Sequence, residues 1–261
     1  RRLALASAAG ILLAVLALRP EAPAGAPALF LHRAGLYEMV AVEEGRRIYD
    51  NIRRFVRYLL ATNSGEVLVM FLAPFLGLPF PLLPIHILWI NLVTDGLPAI
   101  ALGLEPAERD TMRRPPRPPT ESLFARGLWQ HAIWGGVLMA GLTLGVQSAA
   151  LGLDWEWQTM TFTTLALLQL GHALAVRSER QSFFRLGWRT NKPLVGAVAL
   201  MAAVQLSLVY VSFLQPIFDT EALGAVELAV VLVVSTLVFV AVEIEKWTIR
   251  RRGGQAGLAA T

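Results

Sequence analysis

The sequence has no cysteine and little charge, and these two deficits narrow what the protein can be. Without cysteine, its 261 residues hold neither disulfides nor thiolate metal sites. Only 16% of the residues are charged and 55% are hydrophobic, and the mean hydropathy is +0.55. A soluble domain of this length carries more charge and interrupts its apolar runs more often. We therefore predict an integral membrane protein.

Six apolar stretches are long enough to cross a bilayer as helices, which takes about 20 residues. The predicted spans are 55–76, 85–104, 128–151, 158–176, 194–214 and 227–247. The predicted fold class is thus an all-α membrane protein, a bundle of six transmembrane helices. A further hydrophobic stretch at 3–18 is a candidate for an extra N-terminal helix.

The segments around the predicted spans alternate in charge. The basic ones are 51–57, 109–126, 177–192 and 246–252, and the ones without Lys or Arg are 77–84, 151–158 and 215–227. Basic loops remain on the cytoplasmic side, so both ends of the six-span block are predicted to be cytoplasmic. Because the basic residues form short clusters beside spans rather than one patch, we predict a lipid bilayer and no nucleic acid as partner.

The first forty residues have an ambiguous topology. If Arg1 is cytoplasmic, a single crossing by 3–18 ends outside, whereas 51–57 must be inside. Either Arg1 lies outside, or 28–42 re-enters the membrane, or 3–18 does not span. We predict three regions: an N-terminal hydrophobic segment and linker, a membrane domain, and a flexible tail, at 1–40, 41–252 and 253–261.

Polar side chains inside the first two spans indicate an ion site. Asn63 and Glu66 are three residues apart and share a helix face, as do Asn91, Thr94 and Asp95. Ionisable groups within a membrane are usually functional, although single polar residues also form hydrogen bonds between helices. Two carboxylates, two amides and a hydroxyl form an all-oxygen ligand set, which suits a hard cation such as Ca²⁺.

A proline next to this set predicts an irregular backbone. Pro98 has no amide hydrogen, so the carbonyl of Thr94 loses its helical donor. We expect a locally unwound helix, whose free carbonyl oxygens face a cavity within the membrane.

Three segments carry recognisable motifs. Residues 41–52 read Ala-Val-Glu-Glu-Gly-Arg-Arg-Ile-Tyr-Asp-Asn-Ile. They resemble the lead from the phosphorylation domain into the fifth helix of type II P-type ATPases. Asn-Ser-Gly-Glu at 63–66 resembles the ligand motif of that helix. Leu-Trp-Ile-Asn-Leu-Val-Thr-Asp-Gly-Leu-Pro-Ala at 88–99 is similar to the sixth-helix motif of sarcoplasmic-reticulum-type calcium pumps. The resemblance covers about 41–252 and implies that the spans are the fifth to tenth helices.

The resemblance also implies a set of metal ligands. They are Asn63, Glu66, Asn91, Thr94 and Asp95. Gln169 stands where two-site pumps have a glutamate in the eighth helix, which favours one ion site over two. His172 lies one turn on and is either a ligand or a packing residue. The expected transported ion is calcium, with manganese left open.

The motor motifs of this family are absent from the sequence. It has no Asp-Lys-Thr-Gly-Thr phosphorylation motif, nucleotide-binding domain or Thr-Gly-Glu actuator motif. We therefore expect no ATPase activity from this chain alone, with ATP and magnesium acting only through cytoplasmic pump domains absent here. Three interpretations of the chain remain open: it is a fragment of a longer pump, a truncated product, or a partner of domains on another chain. The alternative functions are a non-catalytic membrane remnant or interaction protein and an autonomous secondary transporter. The composition predicts a bacterial plasma membrane.

Overall fold

The computed structural model describes residues 26–108, 110–118, 120–125, 127–179 and 181–258. Regular secondary structure in these ranges is helical throughout, with no strand among them. The candidate N-terminal helix at 3–18 lies outside the described residues. The all-α fold class predicted from the sequence is confirmed.

Nine α-helices follow one another along the described chain. They are α1 (Ala26–Phe75), α2 (Pro84–Trp89), α3 (Gly96–Leu102), α4 (Leu128–Gly152), α5 (Trp157–Ala175), α6 (Phe183–Leu186), α7 (Lys192–Tyr210), α8 (Gln215–Phe218) and α9 (Ala225–Leu258). A π-helical turn, Ile90–Thr94, separates α2 from α3, and a 3₁₀ turn occupies Thr111–Arg113. Each predicted span coincides with one or two of these helices.

The first helix begins far before the span predicted at 55–76. It runs for 50 residues from Ala26, through the charged stretch that hydropathy placed outside the membrane. Glu and Arg, the main charged residues of this stretch, have good helix propensity, so a fall in hydropathy does not mark the end of the helix. After the helix, Gly77 has φ +72° and the amide of Leu78 donates to the carbonyl of Ala73 at 2.9 Å. This glycine C-cap closes the helix and gives the tight turn expected at 77–84.

Five described helices are long and apolar enough to cross a membrane, which supports a multi-pass integral protein. They are Glu38–Phe75, Pro84–Leu102, Leu128–Gly152, Lys192–Tyr210 and Ala225–Arg251. The one remaining predicted span, 158–176, corresponds to α5, which is helical over 19 residues but is not among the five. Four threonines, Gln169 and His172 lower its hydropathy, and all six of these side chains are buried. Because protein rather than lipid surrounds α5, its sequence lacks the apolar surface of a lipid-facing helix.

The described chain forms two units. The smaller unit comprises the described residues up to Arg47 together with Ala107–Pro115. Within it, the side chain of Arg46 donates hydrogen bonds to the carbonyls of Thr111 and Arg114, at 2.9 and 2.7 Å. The larger unit comprises Ile48–Pro106 and the residues from Pro116 onward. Within the larger unit α5 is central, because it packs against α4, α7 and α9.

A close helix contact positions the part of α1 that carries Glu66. A Cβ built on Gly136 of α4 would lie 2.6 Å from the Cβ of Ser64 and 3.1 Å from the amide nitrogen of Gly65. Only glycine allows α1 and α4 to approach this closely, as in other membrane helix pairs with small residues at the interface.

Candidate cation site

The carboxylate of Glu66 joins three helical segments. It is 5% exposed, and its Oε2 accepts a hydrogen bond of 2.5 Å from Nδ2 of Asn91 in the π-helical turn. Its Oε1 accepts a hydrogen bond of 2.8 Å from Nε2 of Gln169 in α5. The structure therefore brings together three of the predicted site residues around one buried carboxylate.

The second buried carboxylate, Asp95, has a partner that sequence reasoning missed. It is 1% exposed, and its Oδ1 accepts a hydrogen bond of 2.7 Å from the hydroxyl of Tyr58. Its Oδ2 is buried without a hydrogen-bond partner among the described residues. Asp95 also lies close enough to Glu66 for the two charges to interact. Tyr58 is eight residues, or about two helical turns, before Glu66, and this spacing is the sequence signal by which it could have been found.

The remaining two predicted ligands of the first two spans have different surroundings. Thr94 is 1% exposed and lies next to Asp95 in the chain. Asn63 is exposed, and its Nδ2 donates to the carbonyl of Leu59 at 2.8 Å within its own helix. The side chain of Asn63 thus has no hydrogen bond to the Glu66 cluster among the described contacts.

The backbone beside Asp95 is widened rather than unwound. The amide of Asp95 donates to the carbonyl of Ile90 at 2.8 Å, a π-type bond across five residues. The next helix then begins at Gly96, and the amide of Ala99 donates to the carbonyl of Asp95 at 3.0 Å. The expectation of an unwound segment is corrected in form, because the backbone before Pro98 keeps helical hydrogen bonds at π spacing. Such π turns are frequent at functional sites.

The two amides present their nitrogen atoms to Glu66 in this arrangement. A cation needs oxygen ligands, so its binding requires the Asn91 and Gln169 side-chain amides to rotate by about 180°. The Oε1 atom of Gln169 is buried without a partner among the described residues, so a rotation breaks no bond of that oxygen. No group of three or more His, Cys, Asp or Glu side chains in the described ranges is arranged to hold a metal. The candidate site offers two carboxylates, Glu66 and Asp95, and any further ligands would be neutral oxygens.

His172 is placed near this site but not in it. Its ring stacks on the ring of Tyr58, with centroids 5.8 Å apart, and its Nε2 lies 3.0 Å from Nε2 of His131 in α4. The side chain is completely buried. Of the two readings left open for this residue, the observed contacts are those of a hydrogen-bonded partner.

The family relationship follows from comparison with known sequences. The profile of the family described as "Cation transporting ATPase, C-terminus" matches residues 79–248. The chain belongs to this family. The resemblance to the C-terminal transmembrane half of P-type cation ATPases is therefore confirmed. The family match includes Asn91, Thr94, Asp95 and Gln169, and it begins after Asn63 and Glu66.

Individual cation-transporting ATPases are similar to the chain over most of its length. It is 47% identical to the "Calcium-transporting ATPase" of Bacillus subtilis over 187 residues, covering 70% of this chain and 21% of that relative. It is 36% identical to "Calcium-transporting ATPase 1" of Yarrowia lipolytica over 215 residues, covering 81% and 23%. It is 38% identical to "Calcium-transporting ATPase 1" of Bacillus cereus over 225 residues, covering 79% and 25%. The chain thus spans about a quarter of the length of these relatives.

Proposed function

We propose that the chain supplies the calcium-binding membrane part of an ATP-driven cation pump. The observation that carries the proposal is the buried Glu66 carboxylate, which hydrogen-bonds to Asn91 and Gln169 from two other helical segments. The names of the three relatives support calcium as the transported ion, with manganese as the competing candidate. Two of those relatives are bacterial, which supports a bacterial plasma membrane as the location.

The proposed ligands differ in their roles. Glu66 and Asp95 provide the negative charge, because a divalent cation in a low-dielectric interior needs charged partners. Asn91, Thr94 and Gln169 provide neutral oxygens after their side chains rotate toward the ion. Asn63, which is exposed, completes the site from the same helix face as Glu66. Calcium takes about 6–8 oxygens, and backbone carbonyls of the π-helical turn supply further ones.

ATP and magnesium act on this site only through other domains in the proposal. The sequence has no phosphorylation motif, so the aspartyl phosphate that drives transport forms on cytoplasmic pump domains outside these residues. Those domains are the proposed protein partner of the membrane part, and they lie either on the same longer polypeptide or on another chain.

The proposal is tested by calorimetric titration of calcium into the purified, detergent-solubilised chain. Asp95→Asn and Glu66→Gln should each weaken calcium binding at least about tenfold, or about 1.4 kcal/mol, because each removes one charged ligand. Asp154→Asn is the matched control, since Asp154 is exposed in the loop before α5 and its φ of +57° is one that asparagine tolerates.

Two outcomes would count against the proposal. Unchanged binding in Asp95→Asn and Glu66→Gln would mean that these carboxylates are not ligands. No binding by the wild-type chain would mean that this chain does not assemble the site. Titration of manganese under the same conditions decides between the two ions by their relative affinity.

A further inference from the structure

Tyr58 binds one oxygen of Asp95 and leaves the other oxygen available. The Tyr58 hydroxyl donates to Oδ1 of Asp95 at 2.7 Å, and both side chains are buried. Thr62 of α1 also interacts with Asp95, but its hydroxyl donates to the carbonyl of Leu59 at 3.2 Å. Oδ2 of Asp95 is buried without a hydrogen-bond partner among the described residues. The orientation of the Asp95 carboxylate therefore depends on where the Tyr58 ring lies.

A histidine of α5 stacks on the Tyr58 ring. The ring centroids of Tyr58 and His172 are 5.8 Å apart, and the two planes differ by 20°. Nε2 of His172 lies 3.0 Å from Nε2 of His131 in α4, so a hydrogen bond joins the two histidines. The χ2 angle of a histidine is only weakly restricted by itself, and this hydrogen bond fixes it. The bond thus sets the plane against which Tyr58 packs.

His131 is fixed in turn by a carboxylate of α9. Its Nδ1 lies 2.7 Å from Oε2 of Glu245, and Oε1 of Glu245 accepts a hydrogen bond of 3.1 Å from Trp134. An ionised carboxylate only accepts, so Nδ1 of His131 donates to Glu245. A neutral His131 then accepts at Nε2 from the Nε2–H group of His172. Donors and acceptors are therefore matched from α9 to the ring that stacks on Tyr58.

The choice of histidine at position 172 needs a reason beyond packing. A buried polar side chain is costly, and a phenylalanine would stack on Tyr58 without that cost. Nδ1 of His172 is itself buried without a hydrogen-bond partner in the described structure. The feature that histidine has and phenylalanine lacks is the hydrogen bond to His131, which fixes how the stacked ring is rotated.

We propose that His172 and His131 are positioning residues for Asp95. They hold the Tyr58 ring where its hydroxyl binds Oδ1, and this leaves Oδ2 of Asp95 available to the cation. Neither histidine contacts the cation. The inference rests on the proposed function, because it takes Asp95 as a cation ligand. Groups that orient a metal ligand typically change metal affinity about 10–100-fold when they are replaced, and we expect effects in this range.

The first test is a double-mutant cycle on calcium affinity, measured by titration calorimetry of the full chain. His172→Phe keeps a stacked ring and loses the hydrogen bond to His131, and Tyr58→Phe loses the hydroxyl that binds Asp95. Each variant should weaken calcium binding at least about tenfold. The double variant should bind within about twofold of Tyr58→Phe alone, because His172 acts on Asp95 through the Tyr58 hydroxyl. Effects that multiply in the double variant would overturn the proposal.

His86→Phe is the matched control for the loss of a buried, stacked histidine. The His86 ring stacks on Phe162 with centroids 4.1 Å apart, and its Nε2 contacts the carbonyl of Phe218. This variant should leave the calcium affinity within about twofold of the wild-type value. A loss as large as that of His172→Phe would show that any buried histidine affects the site through the fold, and would also overturn the proposal.

A second measurement needs no cation. NMR spectra of the chain with ¹³C at tyrosine Cζ report the hydrogen bond of each hydroxyl, and Tyr58→Phe identifies the Tyr58 signal by its loss. His172→Phe and His131→Leu should both move the Tyr58 signal. Tyr210 is the internal control, since its hydroxyl donates to the carbonyl of Leu223 at 3.0 Å and its signal should not move.

The two measurements separate this proposal from the proposed function. A wild-type chain that binds no calcium would refute the proposed function, while a Tyr58 signal that moves in both histidine variants would still support the positioning of Asp95. A Tyr58 signal that stays in place in both variants would show that the histidines only pack beside Tyr58, whether or not calcium binds.

Discussion

Arg177 and Glu105 form a two-point ion pair in the interior of the larger unit. Nε and Nη2 of Arg177 donate to the two carboxylate oxygens of Glu105 at 3.0 and 2.8 Å, and the side chains are 0% and 3% exposed. Asn191 donates to the same carboxylate at 2.7 Å. Arg177 follows α5, Glu105 follows α3 and Asn191 precedes α7, so the ion pair and Asn191 connect three helices just beyond the ends at which these residues lie.

Replacing one partner of this ion pair should lower the stability of the protein far more than replacing both partners. Arg177→Met leaves an uncompensated buried carboxylate, and we expect a loss of about 3–5 kcal/mol, or about 10 °C in Tm. The double variant Arg177→Met with Glu105→Leu should recover a substantial part of that loss. Thermal unfolding in detergent measures both.

The exposed pair Glu44 and Arg47 provides the control for the buried one. Their side chains are 48% and 31% exposed, and Arg47→Met should change Tm by about 1 °C or less. Equal losses for the two arginine variants would mean that burial does not set the strength of the Arg177–Glu105 pair.

Gly136 should not tolerate a methyl group. Gly136→Ala places a carbon 2.6 Å from the Cβ of Ser64, next to backbone atoms that have no freedom to move aside. The variant should therefore separate α1 from α4, lower Tm by several degrees and weaken cation binding at Glu66. Gly141→Ala in the same helix meets nothing within 4 Å and should be neutral or slightly stabilising. A Gly136→Ala protein as stable as Gly141→Ala would disprove the close contact.

The loop after α5 should lose stability in acid because of Glu179. Burial alone raises the pKa of this carboxyl, but the guanidinium groups of Arg57 and Arg53 outweigh it and hold the pKa below its usual value. A carboxyl whose pKa is lower in the folded than in the unfolded protein stabilises the fold at pH values above its unfolded-state pKa of about 4.3. This stabilisation is lost as the pH falls through the folded-state pKa. The difference in Tm between wild type and Glu179→Gln should therefore be constant from about pH 7 to 5 and shrink below about pH 4. A difference that does not change with pH would refute the charge pairing.

Calcium affinity should rise with pH. Two bare carboxylates in a membrane interior are costly. We therefore expect the proposed ligands Glu66 and Asp95 to take up protons when no cation is bound, and protons to compete with calcium for them. Titration calorimetry at about pH 6, 7 and 8 should show a falling Kd, while a flat profile would exclude proton competition at these side chains.

The sequence predicted the helices well because lipid imposes a simple rule on them. Long apolar runs bounded by basic or turn residues located every span, and the motif at 88–99 located the irregular turn beside Asp95. The partners of Asp95 were not predicted, because a tyrosine in an apolar run resembles an ordinary packing residue. The π form of the turn was also missed, since hydropathy carries no information about backbone hydrogen-bond spacing.

Hydrogen-bonded groups of side chains from several helices could not be predicted from sequence patterns. His131 and Glu245 are 114 residues apart in the chain, and no periodicity links them. His172 was recognised only as a residue one turn from Gln169. Their connection depends on how α4, α5 and α9 are rotated about their axes, which is decided by packing.

The polarity of α5 has a consequence for how the protein is made. A helix that contains four threonines, Gln169 and His172 is a weak signal for membrane insertion by itself. Its polar side chains are costly in lipid unless other protein groups contact them. We therefore expect α5 to be held stably in the membrane only after α7 and α9 have been synthesised and, with α4, surround it.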